Sequence, residues 1–98
     1  MSVYLVGAID IHDPEVYARY QAAAAPILAQ MSVVEVLSTD GDPIVFEGDR
    51  PAQHMFIIKF ESEKDAQTFM ESDAYASCIP LRRAASTTHF IMAMRGLN

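Results

Sequence analysis

The sequence predicts an α+β fold: one antiparallel sheet of four strands with its helices on a single face, in the order strand, helix, strand, strand, helix, strand. Three observations carry this prediction. The run His54 to Phe60, read at period two, puts His54, Phe56, Ile58 and Phe60 on one side and Met55, Ile57 and Lys59 on the other, so it is a strand with two largely apolar faces. Val3 to Ile11 and Thr87 to Arg95 have the same two-faced character. Between these strands lie stretches with helix-start chemistry, and breakers fall where the strands have to end.

Val3 to Ile11 alternates Val3, Leu5, Ile9 and Ile11 against Tyr4, Val6, Ala8 and Asp10, with Gly7 as its one residue without a side chain to pack. Asp13-Pro14-Glu15 then starts a helix: a capping carboxylate, a proline where no N–H is needed, and an acid in the positive first turn. The helix is expected to run to about Gln30, with Tyr17, Tyr20, Ala24, Ile27, Leu28 and Met31 on one stripe. Pro26 removes a backbone bond and is expected to bend its second half.

Ser32 to Ser38 reads as the next strand, Asp40-Gly41-Asp42-Pro43 as a turn, and Ile44 to Glu47 as a short strand returning from it. Gly48-Asp49-Arg50-Pro51 is a second turn, leading into His54 to Phe60. Ser62, with Asp65 three residues on, resembles a capping box, and the helix that follows ends near Glu71 with Ala66, Phe69 and Met70 buried. Ser72-Asp73 restarts the chain as a helical segment from Ala74 to about Ala84, which Pro80 breaks or bends. Thr87 to Arg95 is the last strand, with Phe90, Met92 and Met94 opposing His89, Ile91 and Ala93.

Each half of the chain is therefore a split β-α-β unit, and residues 1–98 are expected to form a single domain. A chain of this size hides only roughly 60 to 65% of its unfolded surface when it folds alone. With the helices on one face, the other face of the sheet is left bare although its residues are apolar. Covering several hundred Å² of it, at about 25 cal/mol per Å², stabilises by several kcal/mol. A homodimer with two sheets face to face is the expected solution.

The composition excludes several classes of function. The hydrophobic fraction is 51% and the charged fraction 20%, which is the balance of a folded globular protein and not of a disordered one. The net charge is −6 with only seven Lys and Arg, so no basic stripe is present for nucleic acid. Asp10 interrupts the N-terminal apolar run long before it can span a bilayer, and no basic region precedes it, so neither secretion nor membrane insertion is expected. The lone cysteine, Cys78, can make no internal disulfide and fits a reducing cytoplasm. No Cys/His spacing suits a metal, and there is no Gly-rich phosphate loop, nucleotide fingerprint or nucleophile elbow, so neither metal nor organic cofactor is expected.

Asp13-Pro14-Glu15 with Tyr17 and Tyr20, Glu47-Gly48-Asp49, Phe60-Glu61-Ser62 with Ala66, Ser72 with Tyr75, and Arg82 with Ala84 and Ala85 together resemble the domain-of-unknown-function family 1330 (DUF1330) over nearly the whole chain. That family belongs to the dimeric α/β barrel superfamily, which includes cofactor-free monooxygenases of antibiotic biosynthesis, muconolactone isomerase-like proteins and stress-responsive barrels. The resemblance implies a ferredoxin-like βαββαβ subunit paired into a dimeric barrel, and it implies no particular reaction. This chain departs from the family pattern at Met31-Ser32, where a Gly-Gly pair is usual, at Asp73, where proline is common, and at Pro80.

The candidate ligand-binding residues are Tyr17, Tyr20, Glu47, His54, Arg82 and His89. Tyr17 and Tyr20 can offer phenols to a ligand oxygen, though aromatics on a buried stripe are more often simply packed. Arg82 can fork onto a carboxylate; the bland reading is that Arg82 and Arg83 offset a helix dipole. Glu47 can be a base if buried, although a turn acid is usually solvated. His54 shares a strand face with Phe56, and His89 shares one with Ile91, so either can line a pocket and move a proton; a structural or surface role is the ordinary alternative. Cys78 reads as a buried inert thiol.

Three functions fit these features. The first is a cofactor-free enzyme, monooxygenase- or isomerase-like, acting on a small apolar or aromatic substrate that bears oxygen. The others are a non-catalytic small-ligand binding or sensing module and a structural dimer without a ligand. A cavity of a few hundred Å³ reached by Tyr20 and Arg82 separates the first two from the third.

Overall fold

In a computed structural model that describes residues 1–31 and 34–97, the elements are β1 (Val3–Ile11), α1 (Pro14–Ala29), β2 (Val34–Asp40), β3 (His54–Phe60), α2 (Glu63–Met70), α3 (Asp73–Ala76), α4 (Ile79–Ala85) and β4 (Ser86–Arg95). The strands form one sheet in the order β2-β3-β1-β4, every neighbouring pair antiparallel. This is the ferredoxin-like α+β arrangement that the alternation of apolar residues predicts.

The helices start where the sequence chemistry places them. Asp13 Oδ1 accepts from Val16 N at 3.2 Å, Ser62 Oγ from Asp65 N at 3.1 Å and Ser72 Oγ from Tyr75 N at 3.1 Å, so each cap satisfies a donor that the helix itself cannot. Helix α1 continues through Pro26 to Ala29. The expected break at Pro80 falls earlier: the chain leaves α3 at Ser77, turns through Cys78, and Pro80 occupies the first turn of α4, where its missing N–H removes no bond.

The main core lies between the helices and one face of the sheet, where Val3, Leu5 and Phe60 meet Ala24, Ala66, Phe69, Tyr75 and Cys78. A smaller cluster joins Ile9, Tyr17 and Ala85. The backbone amides of His12 and Asp13 both donate to Ala85 O, at 3.0 and 3.1 Å, fastening the start of α1 to the end of α4.

Three expectations need correction. Ile44 to Glu47 is not a strand: the segment runs outside the sheet with Ile44 and Phe46 80% and 95% exposed, because β-prone side chains make no strand without a ladder to join. Strand β2 runs to Asp40, two residues beyond the expected end at Ser38; its expected start at Ser32 lies outside the described residues. Finally, β4 carries a bulge. Ala8 faces Phe90 but Ile9 faces Thr88, so His89 is an extra residue and leaves the face it was expected to share with Ile91.

The other face of the sheet bears Tyr4, Val6, Met55, Ile57, Met92 and Met94, and no helix among the described residues covers it. Leu37, skipped in the β2–β3 register between Val36 and Ser38, joins Tyr4, Val6, Ile57, Met94 and Leu97 around a broad hollow of ≈ 530 Å³ there. No helix among the described residues is long and apolar enough to cross a membrane.

Candidate functional site

A cavity of ≈ 240 Å³ opens between α1 and the β2–β3 half of the sheet. Helix α1 supplies Tyr17, Tyr20, Gln21, Ala24, Ala25 and Leu28 to its wall; β2 supplies Val36 and Thr39; β3 supplies His54, Phe56 and Ile58. The β3 residues alternate along the strand, which is why a histidine shares a wall with a phenylalanine and an isoleucine. Ala24 and Ala25 leave room because their side chains end at Cβ. The wall is mainly apolar, with a few converging polar groups, as small-molecule sites usually are.

Those polar groups are not equivalent. Tyr20 Oη lies 2.8 Å from Tyr75 Oη, a hydrogen bond between residues of α1 and α3. Their rings meet edge to face with centroids 6.3 Å apart, and the ring of Tyr17 tilts against that of Tyr20 at 5.3 Å. Burial pushes the Tyr20 phenol well above its usual 10.0, and the hydrogen bond to Tyr75 adds to the shift. Burial likewise raises Tyr17. Both phenols are therefore neutral at physiological pH and can act as hydrogen-bond donors but not as bases. If Tyr75 donates to Tyr20, the proton of Tyr20 is free for a ligand oxygen.

His54 is the histidine that lines the cavity, and its imidazole is a group that can both donate and accept a hydrogen bond there. It sits at the start of β3, beside the turn that holds Gly41.

The remaining candidates lie elsewhere. Arg82 is buried under α4, does not line the cavity, and donates from Nη1 to Thr88 Oγ1 at 2.6 Å. Its charge still reaches the phenols, opposing the upward push of burial on Tyr17 and Tyr20. The bulge turns His89 to Asp10, with Nε2 2.6 Å from Asp10 Oδ2. Glu47 is exposed in the loop after β2. Cys78 is buried, with Sγ 3.6 Å from Ala74 O. Among the described residues no group of three or more His, Cys, Asp or Glu is placed to hold a metal ion.

Sequence reasoning did not single out Tyr75 or Phe56 as site residues. Phe56 had a signal, since it shares the period-two face of His54. Tyr75 had none of its own, because its partner Tyr20 lies fifty-five residues away.

The comparisons with known proteins agree with this architecture. A family model described as a domain of unknown function (DUF1330) matches residues 2–96. A search of curated proteins gave no match. Among solved structures the chain is similar to a protein of unknown function from Rhodopseudomonas palustris, with TM-score 0.76, 14% identity, and coverage of 99% of this chain and 83% of that one. It is also similar to SnoaB, a cofactor-independent oxygenase from Streptomyces nogalater, with TM-score 0.69, 14% identity and coverage of 99% and 94%. HapK from Hahella chejuensis follows with TM-score 0.66, 16% identity and coverage of 99% and 93%. At these identities the likeness is one of fold alone. The family match covers every residue from which the site is built, and the chain belongs to the DUF1330 family.

Proposed function

We propose that this protein is a homodimeric, cofactor-free enzyme acting on a small apolar or aromatic substrate that bears oxygen, and that the cavity under α1 is its active site. The observation that carries the reading is the meeting, in one mainly apolar cavity, of a histidine with a neutral phenol already hydrogen-bonded from behind. The fold likeness to a cofactor-independent oxygenase supports the reaction class by analogy.

In this reading the substrate oxygen accepts a hydrogen bond from Tyr20, and His54 removes a proton from the adjacent acidic carbon or hydroxyl. Negative charge then builds on the oxygen that Tyr20 holds, where the low polarity of the wall strengthens the bond. Return of the proton to a different carbon completes an isomerisation. Alternatively the resulting carbanion reacts with dioxygen: a C–O bond forms as the carbon is oxidised and dioxygen is reduced to a peroxide, which takes the proton held by His54 and loses water to leave a carbonyl, completing a monooxygenation.

One observation favours a second reading, a binding or sensing module without turnover. Among the described residues no side chain hydrogen-bonds His54, so nothing fixes its ring for proton transfer.

A thermal-shift screen of small phenols, quinones and aromatic ketones tests the site, followed by Tyr20→Phe and His54→Gln on each hit. Weaker binding in Tyr20→Phe supports it; unchanged binding in both variants refutes it. Oxygen uptake or exchange of substrate protons with deuterated solvent, lost in His54→Gln, then separates the enzyme from the binding module.

A further inference from the structure

Among the described residues Arg82 is a charge without a counterpart. It is 7% exposed, its Nη1 is bonded to Thr88, and its Nε is buried with no partner. The ion pairs among the described residues join Arg50 to Asp42, His89 to Asp10 and Arg95 to Glu63, and none reaches Arg82. Taking a guanidinium out of water without an anion is unfavourable, and arginine cannot escape the penalty by losing its proton. A bond to a threonine hydroxyl does not require a full charge, since glutamine can make the same kind of bond. The hydrogen bonding alone leaves the positive charge unexplained.

Its position supplies a reason. Helix α4 packs against α1, and Ala85, one turn after Arg82, meets Tyr17 and Ile9, so Arg82 belongs to the element that backs the tyrosine side of the cavity; its charge accordingly opposes the upward push of burial on Tyr17 and Tyr20. Among the described residues no carboxylate lines that cavity to neutralise it. In a chain with net charge −6, a cation buried beside an apolar cavity is the feature that makes an anion welcome there.

We propose that Arg82 is the fixed counter-charge for the ligand of this cavity, which selects a small aromatic or apolar anion (a carboxylate, phenolate or enolate) over its neutral isostere. This rests on the reading of the cavity as the ligand site and adds the charge class of what it takes. Arg82 acts here as a positioning residue. The anionic oxygen bonds Tyr20, and the guanidinium balances its charge from the α4 side.

The test titrates the full chain with benzoate and with benzamide, two probes of nearly equal shape, at neutral pH and constant ionic strength. The expected result is a preference of about tenfold or more for benzoate in the wild type. Arg82→Gln should lose the preference while keeping its affinity for benzamide, and Arg82→Lys should keep part of it. If Arg82→Gln does not fold, Arg82→Met reads the same ratio. Arg82→Met should also melt at a higher temperature than the ligand-free wild type, because it removes an uncompensated buried charge. A purely structural arginine gives a lower melting point. Equal binding of the two probes by the wild type, or a benzoate preference that survives in Arg82→Gln, overturns the proposal and leaves the cavity reading standing. Failure of both probes to bind, where the thermal-shift screen gives a hit that Tyr20→Phe weakens, overturns this proposal alone; failure of the probes and of the screen together removes the cavity reading, and this proposal with it.

Discussion

The ring of Phe56 lies across Gly7, its antiparallel partner on β1, in the space where any other residue would carry a Cβ. Gly7 is therefore what lets Phe56 lie flat against the sheet and form part of the cavity floor. Gly7→Ala should force the ring upward into the cavity. The expected cost is about 1–3 kcal/mol by denaturant unfolding, with loss of any ligand that the wild type binds. An alanine variant of wild-type stability and unchanged binding would mean that the ring has room to move.

The bond between Tyr20 and Tyr75 gives the protein an alkaline limit. Because burial and this bond raise the Tyr20 phenol above its unfolded value of 10.0, the folded state favours the neutral form. Its contribution to stability is complete below that value and is lost as the pH rises beyond it. Tyr20→Phe should lower stability near neutral pH by about 1–2 kcal/mol, since it leaves the Tyr75 hydroxyl buried without its partner. The same variant should show a shallower fall in stability above pH 10.0 than the wild type. Tyr20→Phe combined with Tyr75→Phe should cost less than the sum of the two, and strict additivity in that cycle would argue against the bond.

What was legible in the sequence was local. The period-two run from His54 to Phe60 marks its strand without reference to any neighbour, and Asp13, Ser62 and Ser72 announce helix starts because a cap bonds an amide only three residues ahead. The positions that escaped depend on partners distant in the chain. The bulge at His89 is a property of the register between β1 and β4, and it decides that Thr88 meets Arg82 while His89 meets Asp10. Ile44 to Glu47 has the side chains of a strand and no strand beside it. Of the candidate residues, Tyr17, Tyr20 and His54 come together at one cavity because α1 crosses the sheet above β3, a relationship that neither segment encodes alone.

Asp10 ties the long loop after β2 to the sheet. Its Oδ1 accepts from the Gln53 amide at 2.7 Å, and its Oδ2 meets His89 Nε2. The Gln53 bond first, and the His89 bond second, hold the Asp10 carboxyl below its usual 3.8. A lowered folded value means that the contribution is present above 3.8 and is lost as the pH falls below it. Asp10→Ala should speed hydrogen exchange at the Gln53 amide and flatten the acid limb of the stability curve. Asp10→Asn, which keeps an oxygen for Gln53, should restore most of the protection but not the acid limb. Unaltered exchange in Asp10→Ala would mean that the loop is held by other contacts.

The bare sheet face makes a prediction about assembly. Met92 and Met94 are 56% and 63% exposed on the edge strand β4, where they stand beside Val6 and Tyr4 and extend an apolar surface that no helix among the described residues covers. Hiding several hundred Å² of it on each of two copies, at about 25 cal/mol per Å², yields on the order of 10 kcal/mol before association is charged. Loss of translational and rotational freedom consumes about 4–15 kcal/mol of that. The balance is therefore narrow enough for one buried charge to tip it. Sedimentation equilibrium of the wild type at micromolar concentration should give twice the subunit mass, whereas Ile57→Glu should give one subunit. Helical circular dichroism should be retained in that variant, since Ile57 lies on the face away from the helices. A wild-type chain that stays single and well folded at that concentration would remove the dimer. It would leave the cavity in place, because α1, β2 and β3 of one chain bound it.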